Sequence, residues 1–437
     1  MTTTMTAETG SLLPPVPMQP LDTGLSPDLI FQIVAKTLHL AGELVGTALA
    51  DRLGVPFTVI EPALMLLKRE QQVEIAGGTM LGPPSYRYRL TDGGRVRAAL
   101  FLSDNQYVGP LPVPLDQYSS LIKRSAAVQV SLSRDVIRRA FSHLVLSPRV
   151  IDHLGPAIAA RHSLFVYGPP GNGKTVISQA IRNVSAGDMV VPHAISVDGN
   201  IIRVYDPVYH ERIADEAPST GLTRDDAFDQ RWVRCKRPLV TAGGELTLDA
   251  LDLGYTPSSG FYRAPLQMIA NGGVLVIDDF GRQHAAPRDL LNRWIVPLES
   301  RVDYLSLQSG QKFEVPFDVF VVFATNLKPG DLVDEAFLRR IRYKVLAVSP
   351  TREEFLQIFE GCCNERQLPY DREVAEYLVE KEIVARNVAL RGCQPRDLIE
   401  QAMAIAAYES QPRRLTTELL SAACLSYFVE DEDLATA

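Results

Sequence analysis

Eight consecutive residues, Gly168, Pro169, Pro170, Gly171, Asn172, Gly173, Lys174 and Thr175, read GPPGNGKT. Their types and spacing suit the capture of phosphate. The three glycines let backbone N–H groups curl around anionic oxygens. The apolar run SLFVY precedes them and VISQAIRNV follows with helical spacing. The loop therefore joins a strand to a helix N-terminus, which carries partial positive charge. Lys174 is then the cation for β- and γ-phosphates, and Thr175 offers a hydroxyl to Mg2+. ATP with Mg2+ is the ligand this chemistry calls for.

A second stretch, GGVLVIDDF (272–280), runs an apolar strand into two aspartates. Alone, it could be a core strand with a solvated acidic end. Beside a phosphate loop, Asp278 becomes a ligand for Mg2+, directly or through water, and Thr175 and Asp278 are the candidate metal ligands. Asp279 falls near the attacking water. ATPases that end a strand this way often carry glutamate second. Aspartate is one methylene shorter, about 1.5 Å of reach, and a misplacement of ~1 Å can cost ~10²-fold. The backbone or an extra water can make up the distance, so the expectation is a genuine site that is slow or gated.

Three further stretches follow in chain order. VFVVFATN ends an apolar strand in Asn326, whose amide could orient water. DEAFLRRI sets Arg339 and Arg340 at a helix end. GCQPRDL sets Arg396 at the start of a helix, behind Pro395. Any one of these arginines alone could be a surface ion pair.

Together, in this order, the stretches resemble the AAA+ ATPase module over about residues 133–430. The resemblance implies that Asn326 is sensor 1, that Arg396 is sensor 2, and that Arg340, with Arg339, reaches the γ-phosphate of a neighbouring subunit. That last role implies a homo-oligomeric ring, expected to be hexameric. The stretch DYLSLQSGQKFEVPFDVFVVFATN reads as strand, Ser309-Gly310 turn, strand, then the Asn326 strand. This is similar to the hairpin of MoxR-type chaperones and of bacterial enhancer-binding activators. RWVRCKRPLVTAGGELTL is a candidate inserted hairpin, either substrate-facing or plain surface.

The elements that must position these residues follow from periodicity. Residues 1–26 are rich in Thr, Pro and Gly without a period and are expected to be disordered. Residues 27–102 read as three helices and a two-stranded wing closed by a Gly93-Gly94 turn, which resembles a winged-helix domain. Residues 103–132 contain GPLPVPL and read as a Pro-rich linker. Residues 133–348 are the expected α/β core, with Ser133 and Ser147 as helix N-caps and Asp198-Gly199 as a hairpin turn. Residues 349–437 read as a helical lid opened by a Thr351/Glu354 capping box. The expected fold class is thus α/β, a parallel P-loop AAA+ sheet with a helical lid, preceded by a winged helix.

The chain of 437 residues is 46% hydrophobic and 22% charged with net charge −8, which excludes a surface covered in nucleic-acid contacts but not one small basic face. Five cysteines show no C-x-x-C spacing, and no basic residue precedes Lys36. No apolar run reaches the ~18 residues of a membrane span. Reduced thiols and a cytoplasmic location are expected. Between 27 and 102, eight basic residues face seven acidic ones. The wing stretch YRYRLTDGGRVR holds four of those arginines and could contact DNA phosphates. The helix before it offers few side chains to base edges, so a protein contact is favoured there. The implied function is ATP-driven remodelling of a macromolecular client, with protein favoured over DNA. A DNA-directed regulator or loader and a slow nucleotide-switched scaffold are the alternatives.

Overall fold

The structure is a computed structural model that describes residues 13–78, 82–127, 132–184, 187–214, 228–332 and 338–428. Its chain partitions into two compact units, each gathered from separate segments. One takes residues up to 130, 185–275 and 289–320. The other takes 131–184, 276–288 and everything from 321. Consecutive domains were expected, but the α/β core contributes to both units.

In the first unit the order is α1 (Pro27–Ala41), β1 (Glu43–Val45), α2 (Gly46–Leu53), α3 (Phe57–Arg69), β2 (Val73–Gly77), β3 (Arg87–Leu90) and α4 (Asp92–Asp104). The strands pair antiparallel in the order β1-β3-β2. Ile33, Val34, Leu38, Leu49, Leu53, Ile60 and Leu67 meet in one core, the inward stripes of three amphipathic helices. The Gly93-Gly94 turn and second wing strand do not form. Thr91 caps α4 instead, its Oγ1 accepting from Gly94 N at 3.1 Å. A Cβ on Gly94 would lie 2.0 Å from the Gln72 carbonyl oxygen, so this glycine serves a close approach of helix to strand.

Two expected unstructured segments are ordered. Thr23 is fully buried, and its carbonyl accepts from Arg231 Nη1 at 3.0 Å. The Pro14 carbonyl accepts from Asp229 N at 3.0 Å. Arg231 and Asp229 are themselves a buried ion pair, 2.7 Å apart. The lack of a period predicted disorder here, but tertiary partners hold residues 13–26. Residues 1–12 of that segment lie outside the described residues. The linker likewise packs. Leu111 N donates to Leu53 O at 2.8 Å, β4 (Val113–Pro114) joins a sheet, and α5 (Leu115–Ala127) follows with Tyr118 buried. There β4 is the edge strand of a five-stranded sheet, a position where proline is tolerated.

The other strands of that sheet are β7 (Ala194–Val197), β8 (Asn200–Arg203), β11 (Gly254–Tyr255) and β12 (Tyr262–Arg263). The hairpin β7–β8 turns through Asp198 (φ +47) and Gly199 (φ +82), as its Asp-Gly pair requires. The candidate inserted hairpin is absent. β9 (Trp232–Lys236) pairs antiparallel with β6 (Asp188–Pro192), with Trp232 and Cys235 buried, while β10 (Leu239–Ala242) joins the core sheet. The hairpin before Asn326 does form. β14 (Val302–Ser306) pairs with β15 (Lys312–Pro316) around Ser309-Gly310.

The core sheet has β5 (Leu164–Tyr167), β13 (Val274–Ile277), β16 (Phe320–Thr325) and β17 (Tyr343–Leu346) in the order β10-β13-β16-β5-β17. β5 runs parallel to both β16 and β17. This is the α/β class expected, and the fully apolar strands suit a sheet buried on both faces. In the second unit, α6 (Arg134–Ala140) and α7 (Pro148–Ala159) begin at Ser133 and Ser147, whose hydroxyls accept from Val136 N and Val150 N. The C-terminal part is all helix: Arg352–Glu365, Arg372–Tyr377, a π-helical stretch Leu378–Val384, Gln394–Tyr408 and Thr417–Tyr427. Phe355, Phe359, Leu398, Ala402, Leu420 and Cys424 fill its core, and the capping box at Thr351/Glu354 is present. Residues 429–437 of the expected lid lie outside the described residues.

Candidate active site around the phosphate loop

The expected loop links β5 to α8 (Lys174–Val184). Gly168, Gly171 and Gly173 have φ of +144°, +79° and +71°, and the loop wraps ahead of the helix N-terminus. Lys174 is buried, and its Nζ donates to the carbonyls of Gly168 at 3.1 Å and Pro169 at 2.9 Å. Burial lowers its pKa, against the pull of Asp279 and Asp278, and the charge of Arg391 lowers it further. Asn172 is buried and bridges outward, its Nδ2 reaching Ala347 O at 3.4 Å and Ser349 Oγ at 3.3 Å.

Asp278 and Asp279 leave the end of β13. Thr175 Oγ1 donates to Asp278 Oδ2 at 2.7 Å. A hydroxyl and a carboxylate this close are hard oxygen donors of the kind Mg2+ takes, and Mg2+ fills its remaining positions with water and phosphate. No cluster of three or more His, Cys, Asp or Glu able to hold a metal occurs among the described residues. Asp279 is in the left-handed region, φ +49°, a conformation that aspartate tolerates better than most residues. Asn326 Nδ2 donates to Asp279 Oδ1 at 3.2 Å.

Three rings support this geometry from below. Phe280 packs edge-on to Phe165 and Phe323, with centroids 5.7 Å and 5.2 Å away, and Phe165 stacks on Phe323 at 5.6 Å. The strands that carry the loop, the acids and Asn326 are thus keyed together. Thr325 Oγ1 adds a hydrogen bond to Phe280 O at 2.7 Å.

Two residues were not found from sequence. Gln283 Nε2 donates to Asp278 O at 2.7 Å, and its Oε1 accepts from Gly281 N at 2.8 Å. One carboxamide therefore closes the acidic turn. Arg391 lies against the loop. Only its place four residues before Pro395 could have drawn notice, and that spacing carries no chemistry by itself.

The loop opens into a cavity of about 560 Å³. Lys174, Thr175, Asp278, Asp279, Asn326 and Arg396 all line it, with Leu146, Val150 and Ile358 on an apolar side. Its size and its mix of apolar wall and convergent polar groups suit a small organic ligand. Arg396 is exposed and paired with Asp397 at 2.8 Å. Arg339 and Arg340 stand just before β17, away from the cavity lining. Residues 333–337 of their expected helix lie outside the described residues.

Strand, phosphate loop and helix on a parallel sheet define a P-loop α/β fold. Residues 351–426, the helical part, match a family model described as a domain of unknown function, DUF8689. Among curated proteins none matches the sequence. Solved structures with similar folds include RuvB of Thermotoga maritima, described as a Holliday junction branch migration motor, at 13% identity over 70% of this chain and 74% of that one, TM-score 0.37. NtrX of Brucella abortus in complex with ADP is 15% identical over 79% of this chain and 69% of its own, TM-score 0.41. The ATP complex of NtrX is 15% identical over 69% and 61%, TM-score 0.39. No helix among the described residues is long and apolar enough to cross a membrane.

Proposed function

We propose that this chain is an AAA+ ATPase that binds ATP with Mg2+, hydrolyses it, and couples hydrolysis in a homo-oligomeric ring to remodelling of a protein client. One observation carries the reading: Thr175 meets Asp278, and Asn326 meets Asp279, at the mouth of the loop that holds Lys174. Lys174 exchanges the Gly168 and Pro169 carbonyls for phosphate oxygens. The loop N–H groups and the α8 N-terminus hold the remaining phosphate charge. Thr175 and Asp278 would hold Mg2+, which would supply neutralisation of phosphate charge. Asp279 takes the proton of the attacking water, and Asn326 fixes where that carboxylate points. Arg396 contacts the phosphates from the lid. Arg340, with Arg339, serves the site of an adjacent copy.

The β14–β15 hairpin ahead of Asn326 supports a place near the MoxR-type branch. The order α1-β1-α2-α3-β2-β3 supports a winged-helix reading of the N-terminal part, used here for protein contact. Its alternative use on DNA is weakened by the ion pairing of its arginines. The slow-scaffold alternative is favoured by one observation, the short acid at 279.

Phosphate release at saturating ATP and Mg2+, measured for the wild type and for Lys174→Ala, tests the proposal. Turnover that needs Lys174 supports it. Lys174→Ala with unchanged nucleotide affinity overturns the phosphate-loop assignment, and ATP binding without turnover favours the scaffold.

A further inference from the structure

Helix α3 has two distinct faces. Val59, Ile60, Ala63, Leu64 and Leu67 are buried in the N-terminal core. The opposite face carries Thr58, Pro62, Met65 and Arg69, all exposed. Their spacing of four, three and four residues keeps them in one stripe along the helix. Met65, near its middle, is 59% exposed. The stripe continues onto the segment before α1. Thr58 Oγ1 donates to Met18 O at 2.8 Å, and Met18 and Leu21 are 61% and 87% exposed. Single exposed apolar side chains are ordinary, but several along one face mark a contact surface.

Charge indicates what fits that face. Arg87, Arg89, Arg95 and Arg97 of the same unit each have a carboxylate partner. Glu61, Lys68 and Arg69 of α3 have no ion-pair partner among the described residues. Glu61 and Lys68 are one heptad apart, so they share a flank of the stripe. Asp22 stands at the Thr58 end, its Oδ2 accepting from Met18 N at 2.9 Å. The face is therefore acidic at one end, basic at the other and apolar between. Such a face complements itself under a two-fold rotation. With two α3 helices antiparallel, Pro62 and Met65 of one meet Met65 and Pro62 of the other. Like flanks then face each other, so each Glu61 meets the Lys68 of the second copy, and each Arg69 meets the end that carries Asp22. A purely acidic partner would leave Glu61 and Asp22 unmatched, and duplex DNA would set both against phosphate.

We propose that α3 is a self-association face, on which a second copy of this chain docks antiparallel through Pro62 and Met65, flanked by two Glu61–Lys68 pairs. This names the partner for the protein contact proposed for the N-terminal part, and it rests on that reading. From Thr58 to Arg69 the stripe runs roughly 16 Å, which is short for an interface that persists at low concentration. The pairing is therefore concentration-dependent. Because a two-fold contact closes on itself, it doubles whatever assembly the ATPase core forms and does not build a ring.

The test is the sedimentation mass of the full chain without nucleotide, over a range of concentrations. The samples are wild type, Met65→Glu, Glu61→Lys, Lys68→Glu and an equal mixture of the last two, with melting followed in parallel. Melting should hold, because these side chains lie outside the core. At the upper concentrations the wild type should show twice the mass of Met65→Glu, whose charge falls at the apolar centre. Glu61→Lys sets lysine against lysine across the two-fold, and Lys68→Glu sets glutamate against glutamate. Each should weaken the doubling about tenfold or more. Mixed, the two variants match every lysine with a glutamate, and the doubled mass should return. Neither a folding defect nor ring formation produces that rescue. Equal masses for wild type and Met65→Glu at every concentration overturn the proposal, and so does a mixture that stays at the mass of its components. If Met65→Glu does not fold, the charge variants and their mixture carry the test. Duplex DNA titrated against the same samples separates the parent reading. Tight duplex binding that Lys68→Glu abolishes, with no doubling, sinks the protein contact itself. No doubling and no duplex binding sinks only the second copy as the partner.

Discussion

Asn326 Nδ2 sits 3.2 Å from Asp279 Oδ1, and this single hydrogen bond joins the ends of two parallel strands across the mouth of the phosphate loop. Asp279 has a left-handed backbone, φ +49°, and Asn326 fixes the direction of its carboxylate. Asp279→Asn should preserve both, because asparagine tolerates this conformation and its Oδ1 still accepts. Nucleotide affinity should stay within about twofold while turnover drops by ~10²-fold or more, the usual worth of a general base. Wild-type turnover in Asp279→Asn would remove Asp279 from the mechanism.

Asp279→Glu is the sharper comparison. The site is fitted to the shorter residue, so the longer acid loses the Asn326 contact and tolerates the positive φ less well. Slower turnover than wild type is expected in steady-state phosphate release. A faster variant would mean that reach, not fit, limits the rate.

Gln283 acts on the same turn through two hydrogen bonds. Gln283→Ala removes both bonds that close residues 278–281, and turnover should fall about tenfold with KM little changed, as expected for loosened positioning. Gln283→Glu keeps the acceptor for Gly281 N but loses the donor to Asp278 O and adds charge beside two carboxylates. It should not rescue. Full activity in both variants would reduce Gln283 to a bystander.

Much of this site was legible because its parts are contiguous in the chain. The phosphate loop is eight residues in a row, and the acids and Asn326 each end an apolar run. Gln283 was missed although its partners Gly281 and Asp278 are close in the chain, because a lone glutamine marks no motif, whereas Arg391 meets Gly171 only through tertiary contact. The same distinction explains the misread elements. Gly93-Gly94 suggested a turn, yet Thr91 turns that stretch into a helix start and Gly94 is small because Gln72 is close. GPLPVPL suggested a linker, but prolines also suit the edge strand that Val113 and Pro114 form. Residues 13–26 lack any period, and Arg231 orders them from over two hundred residues away.

Arg340 tests the ring. Arg340→Ala should bind ATP and hydrolyse it poorly. Mixed with Asp279→Asn, it should recover part of the activity, because an intact base then meets an intact arginine across an interface. No recovery in mixtures shown to co-assemble would argue against an arginine supplied by a neighbour.

Lys36 gives the N-terminal part a pH signature. It is buried, with the Asn105 carbonyl at 3.0 Å and Asn105 Oδ1 at 3.5 Å as acceptors. Burial pushes its pKa from 10.5 down to about 8. Below pH 8 the lysine is charged whether folded or not, and folding bears the cost of burying it. Between about 8 and 10.5 the folded chain releases a proton that the unfolded chain keeps, so stability rises with pH. The increment is on the order of 3 kcal/mol. Melting of the full chain from pH 7 to 10, compared with Lys36→Met, isolates it. Parallel curves for the two would show that Lys36 does not titrate there.

The arginines that suggested a DNA contact are already engaged. Arg87 pairs with Glu43 at 3.3 Å and Arg89 with Glu74 at 2.6 Å. Arg95 pairs with Asp92 and Arg97 with Glu70, and Arg97 also lies 4.9 Å over the Phe31 ring. Exposed pairs are worth about 0–1 kcal/mol each, so they do not lock the side chains. What they do is place a carboxylate beside each of these four guanidinium groups. Tyr88 is buried, its hydroxyl donating to Pro83 O, and cannot stack on a base. Duplex binding by the full chain should therefore be weak and lost at physiological salt, with a shallow salt slope. Glu43→Gln combined with Glu74→Gln frees Arg87 and Arg89, and should strengthen and steepen that salt-sensitive binding. Anisotropy titrations at two salt concentrations read both effects. Tight, sequence-selective binding by the wild type that survives physiological salt would promote the DNA-directed reading, because paired arginines of this kind could not supply it.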